Sequence, residues 1–314
     1  VQGVENVKQY LIGVDIGGTS VKIGTFDREG NLLEKWEIPT DKTDHGSRIL
    51  ADIHRSLRSK VAFSDIIGIG FGVPGPVSDG VVFNCVNLGW GKTDVELEFR
   101  KLMPFPEIVI RVSNDANVAA AGELFQGGGV GVDNLCFFTL GTGVGGGIVI
   151  DGKIVDGVNG LGGELGHLVV DREGRFACNC GKRGCLETVA SATGIVNLAR
   201  LYMASDPLSS LHHNSPLTAK AVFDAAKAGD SAALKAVDEA ADYLAYACSL
   251  VTFTINPERF IFGGGVAKAG MFLVEKIAAA YPRYVRPFLT RGEFALATLG
   301  SDAGIFGAAY LVRP

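Results

Sequence analysis

The chain of 314 residues contains no basic run, and its 29 Lys and Arg are outnumbered by 34 Asp and Glu, for a net charge of −5. Without a positive footprint, nucleic acid and anionic membrane surfaces are not expected partners. No apolar stretch reaches membrane-spanning length, and the opening Val1-Gln-Gly-Val-Glu-Asn-Val-Lys8 has no apolar signal core. Low-complexity linkers are also missing, so a disordered joint between domains is not expected. Cysteine is sparse at six residues, and three of these crowd between Cys178 and Cys185. A disulfide framework would spread its cysteines more evenly, so the cluster reads as metal-binding in a reducing, cytoplasmic compartment.

Glycine is the excess. The 43 glycines are about twice the usual share, and their short clusters read as tight turns, some of them approached by a ligand. A hydrophobic fraction of 47% over this length suits an α/β protein of two packed lobes. Leu11-Ile-Gly-Val-Asp-Ile16 and Val21-Lys-Ile-Gly-Thr-Phe26 predict strands around a Gly/Thr turn, followed by strands at 32–38 and 66–73 and a helix over 47–60. A second strand, glycine turn and strand recurs at Leu135–Leu140, Gly141–Gly147 and Ile148–Ile150, with Asp151-Gly152 closing a hairpin. The pattern then turns helical over 191–204, 218–228 and 231–252, until Asn256-Pro257. A strand at Arg259–Phe262 runs into Gly263-Gly-Gly265 with a helix after it.

Glycine turns expose backbone N–H groups to phosphate oxygens. In the first of them, Asp15 supplies a carboxylate suited to hydrated Mg²⁺, while Thr19 and Lys22 can reach phosphate. This is not the nucleotide loop that ends in Gly-Lys-Ser/Thr and opens a helix. Gly141-Thr-Gly-Val-Gly-Gly146 matches a dinucleotide-binding spacing, but a strand follows where that site needs a helix. One glycine turn alone is an ordinary hairpin. Two such turns plus a triple glycine after a strand point to a nucleotide.

Asn114-Asp115 precedes a predicted helix, where both residue types are favoured N-caps. A carboxylate held there is also suited to accept the proton of an attacking hydroxyl in phosphoryl transfer. His167, Cys178, Cys180 and Cys185 supply one imidazole and three thiolates, a closed tetrahedral shell for structural Zn²⁺. Glu164 and Glu187 flank that cluster. With His167 they can donate to and accept from sugar hydroxyls, and no Arg cluster marks a phosphorylated acceptor.

Together these residues resemble the ROK group of bacterial sugar kinases, repressors and related proteins, most nearly its glucokinase branch, over essentially the whole chain. The motifs are Asp15-Ile-Gly-Gly-Thr19, Val73-Pro-Gly-Pro76, Asn114-Asp115, Leu140-Gly-Thr-Gly143, Gly163-Glu-Leu-Gly-His167, Cys178-Asn-Cys-Gly-Lys-Arg-Gly-Cys-Leu-Glu187 and Phe262-Gly-Gly-Gly265. The cysteine motif is the most specific. The resemblance implies an α/β, two-lobed actin-like ATPase (ribonuclease H-like) fold with mixed sheets and a cleft between the lobes. Residues 1–115 plus 302–314 would form the smaller lobe, and 116–301 the larger lobe with the zinc-binding loop.

The implied activity is ATP-dependent phosphorylation of glucose to glucose 6-phosphate, by a cytoplasmic homodimer. Asp15 is expected to organise Mg²⁺, with Gly17, Gly18, Thr19, Thr142 and Gly143 along the phosphates and Gly264 and Gly265 near the adenosine. Asn114, Asp115, Glu164, His167 and Glu187 are expected on the sugar, with Asp115 taking the proton of its 6-hydroxyl and Asn87 beside it. The alternatives are a kinase for mannose, fructose, N-acetylglucosamine or N-acetylmannosamine, or a sugar-sensing regulator without catalysis. The residues before Leu11 are too few for the DNA-binding helix-turn-helix of the group's repressors.

Overall fold

The computed structural model describes residues 9–286 and 292–314. They form two compact units. The first comprises the chain up to Gly131, Gly147–Gly163 and Ser301–Pro314, and the second comprises Val132–Gly146 and Glu164–Gly300.

In the first unit, β1 (Tyr10–Ile16), β2 (Ser20–Phe26) and β3 (Leu32–Pro39) form an antiparallel meander. Strand β4 (Ile66–Val73) runs parallel to β1, and β8 (Val109–Asn114) runs parallel to β4, giving a five-stranded sheet of order β3-β2-β1-β4-β8. Between β4 and β8 lies a small antiparallel sheet of β5 (Val77–Ser78), β6 (Val81–Val82) and β7 (Thr93–Asp94). Its first turn is Asp79-Gly80, both left-handed, as a two-residue hairpin requires.

Helix α1 (Ile49–Lys60) buries Ile49, Ile53 and Leu57 at a spacing of one helical face, against a core that includes Ile12, Val14, Ile69 and Phe71. Helix α2 (Val95–Arg100) is capped by Asp94, which accepts from the Leu97 N–H and puts Phe99 into the same core. Helix α3 (Asp115–Gln126) follows β8 directly.

The excess of glycine is not confined to turns, as the sequence suggests it is. The last helix, Ala303–Tyr310, packs backbone against backbone on β1, β4 and α3. A Cβ on Gly13 would lie 1.9 Å from the Ile305 carbonyl oxygen, and one on Gly70 would lie 1.8 Å from that of Ala308. Between the helices, Gly307 would meet the Val118 carbonyl at 1.6 Å, and Gly122 would meet that of Ala303 at 2.1 Å. This contact keeps α3 in the first unit, so the boundary after Gly131 falls later than the one at residue 115 expected from sequence.

The chain enters the second unit with β9 (Leu135–Leu140) and leaves it along β10 (Val144–Ile150). Extended structure resumes at Val144, so the glycine turn is shorter than expected, and Gly145, Gly146 and Gly147 lie within the strand. β10 turns through left-handed Asp151 and Gly152 into β11 (Lys153–Ile154), the predicted hairpin.

Back in the second unit come α4 (Glu187–Ala190), α5 (Ala192–Met203), α6 (Ala219–Lys227) and α7 (Ser231–Ile255). Helix α7 starts at the Asp230 cap and continues three residues past its predicted end, to left-handed Asn256. Strand β12 (Arg259–Gly263) is followed by α8 (Gly264–Ala267) and α9 (Met271–Ala280), and β13 (Glu293–Leu296) comes last. β12 pairs in parallel with both β9 and β13. Among the described residues no helix is long and apolar enough to cross a membrane.

The helix–sheet contact makes a direct prediction. Gly70→Ala must push the last helix off β4 and should cost about 1–3 kcal/mol or more. Gly91→Ala, where a Cβ meets nothing within 4 Å, should stay within about 0.5 kcal/mol of the parent. Chemical denaturation of the two variants checks this, and equal midpoints would refute it.

Candidate active site

The first glycine turn joins β1 to β2, with the Gly17 N–H donating to the Ser20 carbonyl at 3.0 Å. Thr40 fastens it from outside: its hydroxyl donates to the Gly17 carbonyl at 2.7 Å and its N–H to that of Thr19 at 3.0 Å. Asn87, exposed in a short turn at Val86–Leu88, has its carbonyl oxygen 3.6 Å from where a Gly18 Cβ would stand. Gly17, Gly18, Thr19 and Asn87 are thus neighbours in one unit.

Asp15 stands at the end of β1, opposite Lys22 in register. Its carboxyl is pushed up to about 6, by burial first and by the nearby Asp115 charge second, with Lys22 opposing both. The last helix contributes to that burial, since a Cβ on Gly304 would lie 2.5 Å from the Asp15 carboxylate. Lys22, expected to reach phosphate, donates to the Ser301 carbonyl at 2.8 Å.

The Asn-Asp pair divides its roles. Asn114 is the N-cap of α3, its side-chain oxygen accepting from the N–H groups of Ala116 at 2.9 Å and Asn117 at 3.3 Å. Its amide also donates to the Gly75 carbonyl at 2.9 Å. Asp115 is the first helical residue, exposed, with its carboxylate accepting from the Ala116 N–H at 2.8 Å. The cap that sequence allows to either residue therefore falls to the neutral one.

In the second unit, the Gly141 N–H closes the other glycine turn on the Gly143 carbonyl at 2.9 Å. Glu187, at the start of α4, accepts from the Val144 N–H at 3.1 Å through one oxygen and faces the Cys178 sulfur at 3.7 Å with the other. His167 points Nδ1 at Cys178 Sγ, 3.7 Å away, and Nε2 toward Glu164, 3.9 Å away.

The ligand atoms of His167, Cys178, Cys180 and Cys185 all lie within 4.8 Å of one another. Cys180 and Cys185 sulfurs are 3.7 Å apart, close to the edge of about 3.8 Å that a tetrahedron of Zn–S bonds would have. The donor set and its spacing therefore fit a closed metal site. Left-handed Gly181 and Gly184 shape its loop, and a Cβ on Gly184 would strike the Asp171 carbonyl at 2.0 Å.

A cavity of about 600 Å³ opens beside the second turn, within the size range of small-ligand sites. Gly141, Thr142 and Gly265 line it together with Thr218, Phe223 and Lys227. Gly264, left-handed beneath it, has no room for a side chain against the Leu140 carbonyl at 2.5 Å. The walls contributed by α6 are missed by sequence reasoning, because a wall that mixes Ala219 and Phe223 with Lys220, Asp224 and Lys227 carries the same pattern as any amphipathic helix.

Asp15 makes a pH prediction. Its folded value of about 6 lies above the ordinary 3.8, so the native state holds the proton more tightly, and stability falls as pH rises through that window. Above it the penalty is complete. Asp15→Asn should therefore raise the ligand-free protein's stability at pH 7.5 by up to about 3 kcal/mol. The gain should shrink as pH falls and nearly vanish around pH 3, below the ordinary value of 3.8. Thermal unfolding at both pH values checks this, and a variant less stable than the parent at pH 7.5 would contradict it.

Known proteins match nearly all of the chain. A model of the ROK family covers residues 11–314. A glucokinase of Halalkalibacterium halodurans is 44% identical over 97% of this chain and 95% of its own length. The solved ROK hexokinase from Thermus thermophilus superposes with a TM-score of 0.79 at 30% identity, over 96% of this chain and 97% of its own. A ROK family glucokinase from Streptomyces griseus, solved with glucose and AMPPNP, gives 0.74 at 31% identity, over 97% and 99% of the two chains. These neighbours have the actin-like ATPase fold, and the mixed α/β sheets described above belong to it. By sequence and by fold, this chain belongs to the ROK family.

Proposed function

We propose that this protein is a cytoplasmic hexose kinase that transfers the γ-phosphoryl group of ATP to the 6-hydroxyl of glucose. The observation that carries the choice of substrate is the 44% identity, over 97% of the chain, with a glucokinase. The geometry supports phosphoryl transfer independently, through two glycine turns and an exposed carboxylate at the head of α3.

In this reading Asp115 accepts the proton of the 6-hydroxyl as that oxygen bonds to the γ-phosphorus and the bond to ADP breaks. Asn114 and Asn87 hold the sugar from the same unit as Asp115. Glu164, Glu187 and the Nε2 side of His167 take other hydroxyls. Thr142 and Gly143 border the phosphates, with Gly265 and the cavity beside it taking the adenosine. Asp15 would hold hydrated Mg²⁺, which supplies charge neutralisation at the phosphates. His167, Cys178, Cys180 and Cys185 would hold structural Zn²⁺, which fixes the imidazole and the Glu187 loop.

A panel of hexoses with Mg·ATP, followed by ADP release, tests the reaction. Glucose is expected to give the highest kcat/KM, and Asp115→Ala should lower kcat roughly 10²–10⁴-fold. Preference for an N-acetylated hexose would correct the substrate, and no hexose-dependent ADP release would sink the kinase reading.

A second test concerns the metal. Cys180→Ser should lose most bound zinc by elemental analysis and weaken glucose affinity about tenfold or more. Unchanged glucose affinity in the zinc-free variant would separate the metal from the sugar site.

A further inference from the structure

Two buried side chains on either side of Asp115 converge on one oxygen atom. The Ser113 hydroxyl donates to Asp156 Oδ1 at 2.7 Å, and the Asn117 amide donates to the same oxygen at 2.9 Å. Ser113 lies near the end of β8 and Asn117 in the first turn of α3, so the bonds bracket Asn114 and Asp115. Both donors are buried, at 2% and 1% exposure, where such bonds are not diluted by water. Asn117 leaves its own side-chain oxygen buried without a hydrogen-bond partner. The amide thus forgoes a bond on one end while keeping its NH₂ on Asp156, an orientation that the carboxylate selects.

Asp156 is itself firmly presented. Its carbonyl accepts from the Gly162 N–H at 2.7 Å, and Val155 before it donates to the Ile148 carbonyl at 2.9 Å. A Cβ on Gly162 would lie 2.0 Å from the Val155 carbonyl, so the loop closes tightly upon itself. The carboxylate at its base is therefore fixed by backbone bonds and does not depend on the exposed tip around Val158.

We propose that Asp156 is a positioning residue that clamps the β8–α3 corner and so aims the Asp115 carboxylate at the acceptor hydroxyl. The inference rests on the reading of Asp115 as proton acceptor. Asp156 acts through Ser113 and Asn117, and its function is to stop the corner from rotating, since a base displaced by a fraction of an ångström loses its alignment.

The test uses the full chain with Asp156→Ala and Asp156→Asn. Asp156→Ala should lower kcat roughly 10- to 100-fold. KM for ATP should stay within about twofold, because the loss lies in the reacting geometry. Amide hydrogen exchange over residues 116–118 should quicken in the same variant. Asp156→Asn keeps an oxygen acceptor at the same place and should restore kcat to within about threefold.

Should Asp156→Ala fail to fold, Ser113→Ala removes one of the two bonds and should show the same kcat loss in smaller degree. A kcat within about twofold of the parent in Asp156→Ala, or a change confined to KM, overturns the clamp. If the parent phosphorylates no hexose, the kinase reading fails and the exchange measurement decides alone. Quickened exchange over residues 116–118 then retains the clamp, and unchanged exchange removes it.

Discussion

The first unit depends on the approach of the last helix to backbone on two sides. Gly13 and Gly70 clear the sheet face and Gly122 and Gly307 clear the helix–helix face, so peptide planes meet where side chains would normally intervene. The same contact takes Asp15 out of water, because Gly304 lies directly against its carboxylate. Burial and the Asp115 charge together push Asp15 up to about 6, against the opposing charge of Lys22. Packing and electrostatics are coupled here: a helix seated for stability produces a desolvated carboxylate whose charged form is disfavoured.

In the second unit the comparable joint is Glu187. One oxygen receives the Val144 N–H at the end of the glycine turn, and the other faces Cys178 in the Cys/His cluster. A Cβ on Gly143 would lie 2.2 Å from that carboxylate, so the turn can approach it only as glycine. His167 extends the connection, with Nδ1 toward the cysteines and Nε2 toward Glu164. Disturbing the cysteine loop therefore reaches the glycine turn through the Glu187 side chain.

Strands β1 to β4, β9, β10 and β12 were legible in the sequence because β-branched runs broken by Gly and Asp-Gly leave little else for the backbone to do, whereas the two-residue strands β5 to β7 and the edge strands β8 and β13 went unread. The gathering of His167 with the three cysteines was legible because its spacing is local. What the sequence hid was long-range. Gly70 beside Ala308 looks like any strand glycine until the last helix is placed, and Lys22 looks available until Ser301 stands beside it. Phe223 and Thr218 were read only as part of a helix, since their cavity forms only once Gly265 lies opposite. Asp156 gave no signal either, because its partners stand 43 and 39 positions away.

The division between Asn114 and Asp115 follows from what each position demands. The residue at 114 must accept from two helix N–H groups and also donate to the Gly75 carbonyl. An amide can do both, whereas an ionised carboxylate can only accept. Aspartate at 114 would leave that carbonyl facing a negative charge and would add a further carboxylate near Asp15 and Asp115, which already repel. With the neutral cap in place, the charge can sit one residue later, in the first turn, where the helix dipole favours it and solvent or a hydroxyl can reach it. The order Asn then Asp therefore follows from the two sets of partners: reversing it would set the charge at the half-buried cap against the Gly75 carbonyl and leave a neutral amide at the exposed position.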